Sequence, residues 1–182
     1  MSRAPSRSAV LRTARAAPKR REPFVVHRRV RWGECDPAEV VYTPQFAHYV
    51  VAAVDDFFQK VVGCAPYAPS SREGVGFPLK ALAFEFSHFL KTGDCFEMKV
   101  RVTALRERSF DLRVEASCAG RAVFQAIYSP VCVDVRTKGA TELPAAVRRA
   151  LTEYARATEA QPLLNNEDER AAFMATAPRR EP

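Results

Sequence analysis

Acidic residues are missing from the first 21 positions, which carry seven basic side chains: Arg3, Arg7, Arg12, Arg15, Lys19, Arg20 and Arg21. The rest of the 182-residue chain holds 21 basic against 21 acidic residues, so the net charge of +7 belongs to that stretch alone. With no aromatic residue among those charges and no surplus elsewhere, a nucleic-acid surface is not expected. The tail also lacks an apolar run of the length a secretory signal requires, and no stretch approaches the roughly 18 apolar residues of a membrane span. A soluble protein without membrane contact is expected. Cysteine shows no Cys-x-x-Cys spacing, and the five present (Cys35, Cys64, Cys95, Cys118, Cys132) are odd in number. Free thiols in a reducing compartment follow, with the cytoplasm as the expected location. No Gly-x-Ser-x-Gly elbow occurs, and Ser117-Cys118 falls in an alternating pattern, which speaks against a Ser–His hydrolase. A glycine-rich phosphate loop is absent, so a nucleotide-dependent reaction has no support. His27, His48 and His88 are scattered without metal-ligand spacing, and no metal site is expected.

What is present suffices for one core. The chain is 47% hydrophobic and 10% aromatic, which at this length predicts one domain, placed at 22–160. The Arg-, Ser- and Ala-rich stretch 1–21 resembles an organelle transit peptide, but a disordered extension or an upstream mis-assigned start codon is the expected reading. The polar end 161–182 is expected to be a solvated tail. Residues 24–32 alternate with period two and predict a half-buried strand. At 43–63 the signals change. Thr43 suits an N-cap, Pro44 the first helical position, and Gly63 a stop, predicting a helix over 44–62. Its apolar positions Phe46, Ala47, Tyr49, Val50, Val51, Ala53, Val54, Phe57, Phe58, Val61 and Val62 leave only a narrow polar stripe of Gln45, His48, Asp55, Asp56 and Gln59, so other elements must enclose it. Six Gly or Pro residues between 63 and 78 predict a loop. Four strands are then predicted at 81–90, 95–105, 109–119 and 121–135. Their short connections predict successive antiparallel hairpins, a meander, and a second helix at 144–157 closes the fold.

Between the first strand and the long helix stands Trp32-Gly33-Glu34-Cys35-Asp36-Pro37-Ala38, followed by Val40-Val41-Tyr42 and Pro44. With this motif in this place, the chain resembles the 4-hydroxybenzoyl-CoA thioesterase family over 24–154. Gly76-Phe77-Pro78 and Arg106-Glu107-Arg108-Ser109-Phe110 add weaker support. The resemblance implies an α+β hot-dog fold, a five-stranded antiparallel sheet wrapped around a long central helix, with the 144–157 helix added. It implies an acyl-CoA thioesterase whose coenzyme A is part of the substrate, with no further cofactor. It also implies a homodimer or a dimer of dimers, a homotetramer, with active sites shared between subunits.

Thioester hydrolysis needs a group that attacks or activates water, and donors for the oxyanion that forms. The family's catalytic Asp corresponds to Asp36, as nucleophile or as general base, and the family's oxyanion donor is the backbone at Thr43. Asp before Pro is also a common turn residue, and a helix start leaves unpaired N–H groups whatever the function. Tyr42 and Val51 are candidate pocket residues, and Arg106 and Arg108 candidate ligands of coenzyme A phosphates. Three positions depart from the family: Glu39 stands where Gly is usual, Thr43 where a bulky aromatic is usual, and Val51 where the 4-hydroxybenzoyl enzyme has the carboxylate that holds the phenol. Valine accepts no hydrogen bond, and a missing polar partner discriminates strongly, so a less polar acyl group is expected. An acyl-carrier-protein thioesterase, a dehydratase-like enzyme or a non-catalytic acyl-CoA-binding protein are the alternatives. A dehydratase would be expected to place a His between Gly33 and Thr43, where none occurs.

Overall fold

Alternating residues from Phe24 onward form the strand β1 (Phe24–Arg29) in a computed structural model that describes residues 22–63 and 74–158. The tails expected at 1–21 and 161–182, Cys64, and most of the Gly/Pro-rich connection lie outside those residues. After a single 3₁₀ turn at Trp32–Glu34 the chain enters α1 (Thr43–Phe57) and continues in a wider π turn, Phe58–Val62. Gly63 then ends it at φ 80°, a left-handed conformation that glycine tolerates, with its N–H on the Phe58 carbonyl at 2.8 Å.

Beyond the helix lie β2 (Val75–Gly76), β3 (Leu79–Phe86), β4 (Cys95–Leu105), β5 (Phe110–Cys118), β6 (Arg121–Pro130) and β7 (Val133–Asp134). Five of them make one antiparallel sheet in the order β1-β4-β5-β6-β3, while β2 and β7 pair separately. The inner face carries alternate residues of two strands, Phe96, Met98, Val100 and Val102 from β4 and Phe110, Leu112, Val114 and Ala116 from β5, all buried. Phe46, Tyr49, Val50, Ala53, Val54 and Phe57 of α1, also buried, meet them. At about 1.5–3 kcal/mol for each large apolar side chain buried, this contact is what holds the sheet around the helix. The architecture is the hot-dog arrangement.

The final helix, α2 (Ala145–Ala157), covers the half of β4 that β1 does not reach. Val147, Leu151 and Ala155 are buried there. The Tyr154 hydroxyl accepts from the Phe24 N–H at 2.7 Å and donates to the Val100 carbonyl at 2.5 Å. Arg148 donates to the carbonyls of Arg106 and Glu107 at 2.9 and 3.0 Å, so the helix is tied at both ends.

Several sequence-based expectations are corrected. Thr43 is the first helical residue and Tyr42 occupies the cap position, without a side-chain cap bond; Pro44 is therefore second. The strand predicted at 81–90 ends at Phe86, and its connection to β4 is not a hairpin. β1 already occupies that edge of β4, Phe24 opposite Val100 and Arg29 opposite Cys95, so β3 pairs with β6 at the far side. Residues 87–94 cross the end of the sheet instead: the N–H groups of Ser87 and His88 share the Val123 carbonyl, and Leu90 drops into the core. His88 thus leaves its predicted strand. The strand predicted at 121–135 breaks after Pro130, and Val75–Gly76, predicted as loop, forms the short pairing with β7.

Candidate active site

The loop 35–41 is a small hairpin closed on itself. Cys35 bridges Val41, the Asp36 N–H meets the Val40 carbonyl at 2.9 Å, and the Glu39 N–H meets the Asp36 carbonyl at 2.9 Å. Asp36 opens this turn and Pro37 follows, the two residue types that such turns favour in those places. Glu39 closes it at φ 61°, in the left-handed region. The Asp36 carboxylate lies half-buried, and its Oδ1 accepts the Ala38 N–H at 2.8 Å. Among the described residues no donor meets Oδ2. The turn role and a chemical role for Asp36 are therefore compatible: one oxygen fixes the carboxylate and the other stays open.

The hairpin delivers the chain to the start of α1. Tyr42 donates its N–H to the Glu34 carbonyl at 3.0 Å, and its own carbonyl accepts the Gln45 N–H at 2.8 Å. The next N–H, that of Thr43, meets no acceptor among the described residues. It stands at the positive end of the helix dipole, where an anionic oxygen is stabilised. Asp36, Tyr42 and Thr43 lie at the same end of the molecule, and the crossing segment braces them from below: the Val41 N–H bonds to the Leu90 carbonyl at 2.9 Å and Val40 bridges Lys91.

Glu34 had no role in the sequence reading, although it stood inside the motif. Its Oε2 accepts from the Arg31 N–H at 2.8 Å and from the Tyr49 hydroxyl at 2.7 Å, and its Oε1 lies 3.5 Å from Gln45 Nε2. Tyr49 is almost fully buried, and burial, then the bond to Glu34, push its phenol well above the usual value. The Arg28 guanidinium lies 5.8 Å over its ring. A carboxylate two residues before Asp36 was visible in the sequence, but its partners lie 11 and 15 positions away on a helix.

The remaining candidates separate. Val51 is half-buried on α1, about 12 Å along the helix from Thr43 at 1.5 Å per residue. Arg106 and Arg108 sit in the β4–β5 hairpin. Asp36 follows the end of β1 that pairs with Cys95, whereas Arg106 follows Leu105, so ten residues of β4, about 33 Å, separate the two ends. Arg106 forms a two-pronged ion pair with the buried Asp111, at 2.6 and 3.2 Å, and Arg108 is exposed. Near the site end several large apolar side chains face outward: Tyr42 is 58% exposed, Phe89 65% and Phe86 46%. Phe86 packs against Phe46 with ring centres 5.0 Å apart. Among the described residues no group of three or more His, Cys, Asp or Glu side chains is placed to hold a metal ion, and no helix is long and apolar enough to cross a membrane.

A helix enclosed by a five-stranded antiparallel sheet, with an Asp-bearing turn at its N-terminus, defines the class, and comparison with known proteins agrees. The family profile of the thioesterase-like superfamily matches residues 30–151, more than half of the chain. The chain belongs to the thioesterase-like superfamily and is a thioester hydrolase by class. The 4-hydroxybenzoyl-CoA thioesterase from Pseudomonas sp. strain CBS-3 superimposes with a TM-score of 0.64 at 24% identity, covering 71% of this chain and 99% of that one. A 1,4-dihydroxy-2-naphthoyl-CoA thioesterase from Synechocystis gives 0.64 at 21% identity over 71% and 95% of the two chains. A thioesterase superfamily protein from Jannaschia sp. CCS1 gives 0.67 at 23% over 74% and 94%. At such identities the likeness carries the fold. A search of curated proteins gave no match.

Proposed function

We propose that the protein hydrolyses acyl-CoA thioesters, with Asp36 and the Thr43 N–H as its reacting groups. One observation carries the reading: in a chain of this superfamily, a carboxylate in a short hairpin and the helix-start N–H two residues after that hairpin stand close in the chain, one carboxylate oxygen and that N–H meeting no partner among the described residues. In one form of the reaction an Asp36 oxygen attacks the thioester carbon, the C–S bond breaks to release coenzyme A as the thiolate, and water then hydrolyses the acyl–Asp36 anhydride. In the other, Asp36 takes a proton from the water that attacks the thioester carbon, and the C–S bond breaks to release coenzyme A as the thiolate. In both, negative charge gathers on the carbonyl oxygen, and the Thr43 N–H with the helix dipole stabilises it.

Val51, which accepts no hydrogen bond, favours a less polar acyl group than 4-hydroxybenzoyl. Arg106 and Arg108 stand too far from their own Asp36 to serve the same substrate, so they serve the phosphates of coenzyme A bound to another subunit's Asp36. Arg108 carries the larger share, because Arg106 is paired with Asp111. Coenzyme A leaves as product, and the reaction calls for no resident cofactor. Cys35, Cys95, Cys118 and Cys132 are free thiols, which accords with a cytoplasmic place of work.

A panel of aromatic and aliphatic acyl-CoA thioesters with thiol detection tests the proposal. Asp36→Asn is expected to stay folded and to lose at least the roughly 10²–10⁴-fold that a general base contributes, and more if Asp36 is the nucleophile. Turnover within about tenfold of the unmodified protein returns Asp36 to the part of a turn residue.

A further inference from the structure

We propose that Glu34 is the positioning residue of this site, holding the Asp36 turn and the Thr43 N–H in one fixed relation; the inference rests on the reading of those two groups given above. The hairpin 35–41 needs anchors because it is a short excursion between β1 and α1. On one side the crossing segment provides them, through the Val41 N–H on Leu90 and the Val40–Lys91 bridge. On the other side the Cys35 N–H meets the Trp32 carbonyl at 3.2 Å, and the anchors that reach the helix pass through Glu34. Its carbonyl receives the Tyr42 N–H, the peptide immediately before Thr43. Its carboxylate receives the Arg31 N–H before the turn and the Tyr49 hydroxyl from the second turn of α1, with Gln45 at the limit of hydrogen-bond length. Tyr42, Gln45 and Tyr49 follow one another at helical spacings of three and four, so one residue grips a single face of the helix whose N-terminus stabilises the oxyanion. Glu34 is two residues from Asp36 and is joined to it by the bridged Cys35.

The grip is stiff for a chemical reason. Three donors converge on one charged acceptor, and hydrogen bonds to a carboxylate are about twice as strong as neutral ones. Tyr49 itself is locked in the core between Phe46 and Phe96, with ring centres at 6.0 and 5.1 Å. Glu34 therefore ties the reacting loop to the buried core through Tyr49. It touches no reacting atom. Its removal leaves Asp36 and Thr43 in place chemically but free to drift relative to each other, and displacement of a reacting group by about 1 Å costs on the order of 10²-fold.

The test uses the full chain with Glu34→Ala, Glu34→Gln and Tyr49→Phe, read in two ways. Steady-state kinetics on the acyl-CoA panel should show kcat of Glu34→Ala reduced about 10–100-fold with KM within about threefold, the pattern of a lost transition-state contact. Glu34→Gln, which keeps an oxygen acceptor at the same reach, should recover most of that loss, and Tyr49→Phe should fall between. Amide hydrogen exchange should show 35–43 exchanging faster in Glu34→Ala and Tyr49→Phe while β4 and β5 stay protected. Unchanged kcat in Glu34→Ala, or unchanged exchange across 35–43, overturns the proposal. If the unmodified protein turns over no thioester, the assignment of the reaction fails, and the exchange readout still decides whether Glu34 holds the loop. Should Glu34→Ala not fold, Tyr49→Phe supplies the same two comparisons.

Discussion

Glu39 occupies a backbone conformation, φ 61°, at which side chains other than glycine are strained. The turn imposes it: Asp36, Pro37 and Ala38 bend the chain back, and the fourth residue must swing left-handed for the Asp36 N–H to reach Val40. The strain is a cost of about 1 kcal/mol, partly offset because glycine would add freedom to the unfolded chain. Glu39→Gly is accordingly expected to raise stability by about 0.5 kcal/mol in urea unfolding, with the turn intact. A second residue-scale consequence concerns Cys132. It is fully buried, and burial pushes its thiol up to about 11. Only the thiolate attacks alkylating reagents, and below pH 11 the neutral form prevails. At pH 8 the folded protein should take up label at the exposed Cys95 and spare Cys132; mass spectrometry of the labelled peptides checks the order.

Among the elements, α2 carries the most local leverage on the sheet. It substitutes for a longer β1 along the upper half of β4, and Tyr154 forms the seam, inserting its hydroxyl between the Phe24 N–H and the Val100 carbonyl while its ring packs edge-on to Phe57 at 5.0 Å. Tyr154→Phe keeps the ring and strands both backbone groups in a partly buried place. A loss of about 1–3 kcal/mol is expected, since an unsatisfied buried polar group costs its desolvation; thermal or urea unfolding measures it. A surface tyrosine of no structural weight would change stability by less than about 0.5 kcal/mol.

For the molecule as a whole the edges of the sheet matter most. The strand β3 runs for eight residues with one side unpaired among the described residues, and Leu79 and Phe86 on it are exposed. Proteins rarely leave such an edge bare. Together with the length of β4, about 33 Å, between the end where Asp36 lies and the end that carries the Arg106 hairpin, this supports a site completed by a second subunit. Light scattering at micromolar concentration should give at least twice the 20.3 kDa of one chain; an active species at the mass of one chain would mean that each copy builds its site alone.

By itself the sequence determined the two helices, the positions of the main strands and the motif. Period-two alternation in 95–105 was enough for β4, whose bounds it matched, because one face of that strand is buried and the other wet along its full length. The Asp-Pro turn ahead of an apolar helix was likewise legible, because those residues act on their immediate neighbours. Only the tertiary structure decided where β3 goes. Its short link to β4 read as a hairpin, yet β1 had claimed that edge, and strand order is settled by competition among partners far apart in the chain. The helix start moved by one residue for a similar reason: the Tyr42 N–H is held by the Glu34 carbonyl rather than capped from within. Glu34 itself stayed hidden because a carboxylate in a loop reads the same whether solvated or gripping a helix, and the difference lies in Tyr49, fifteen residues on, whose hydroxyl only the fold brings within 2.7 Å.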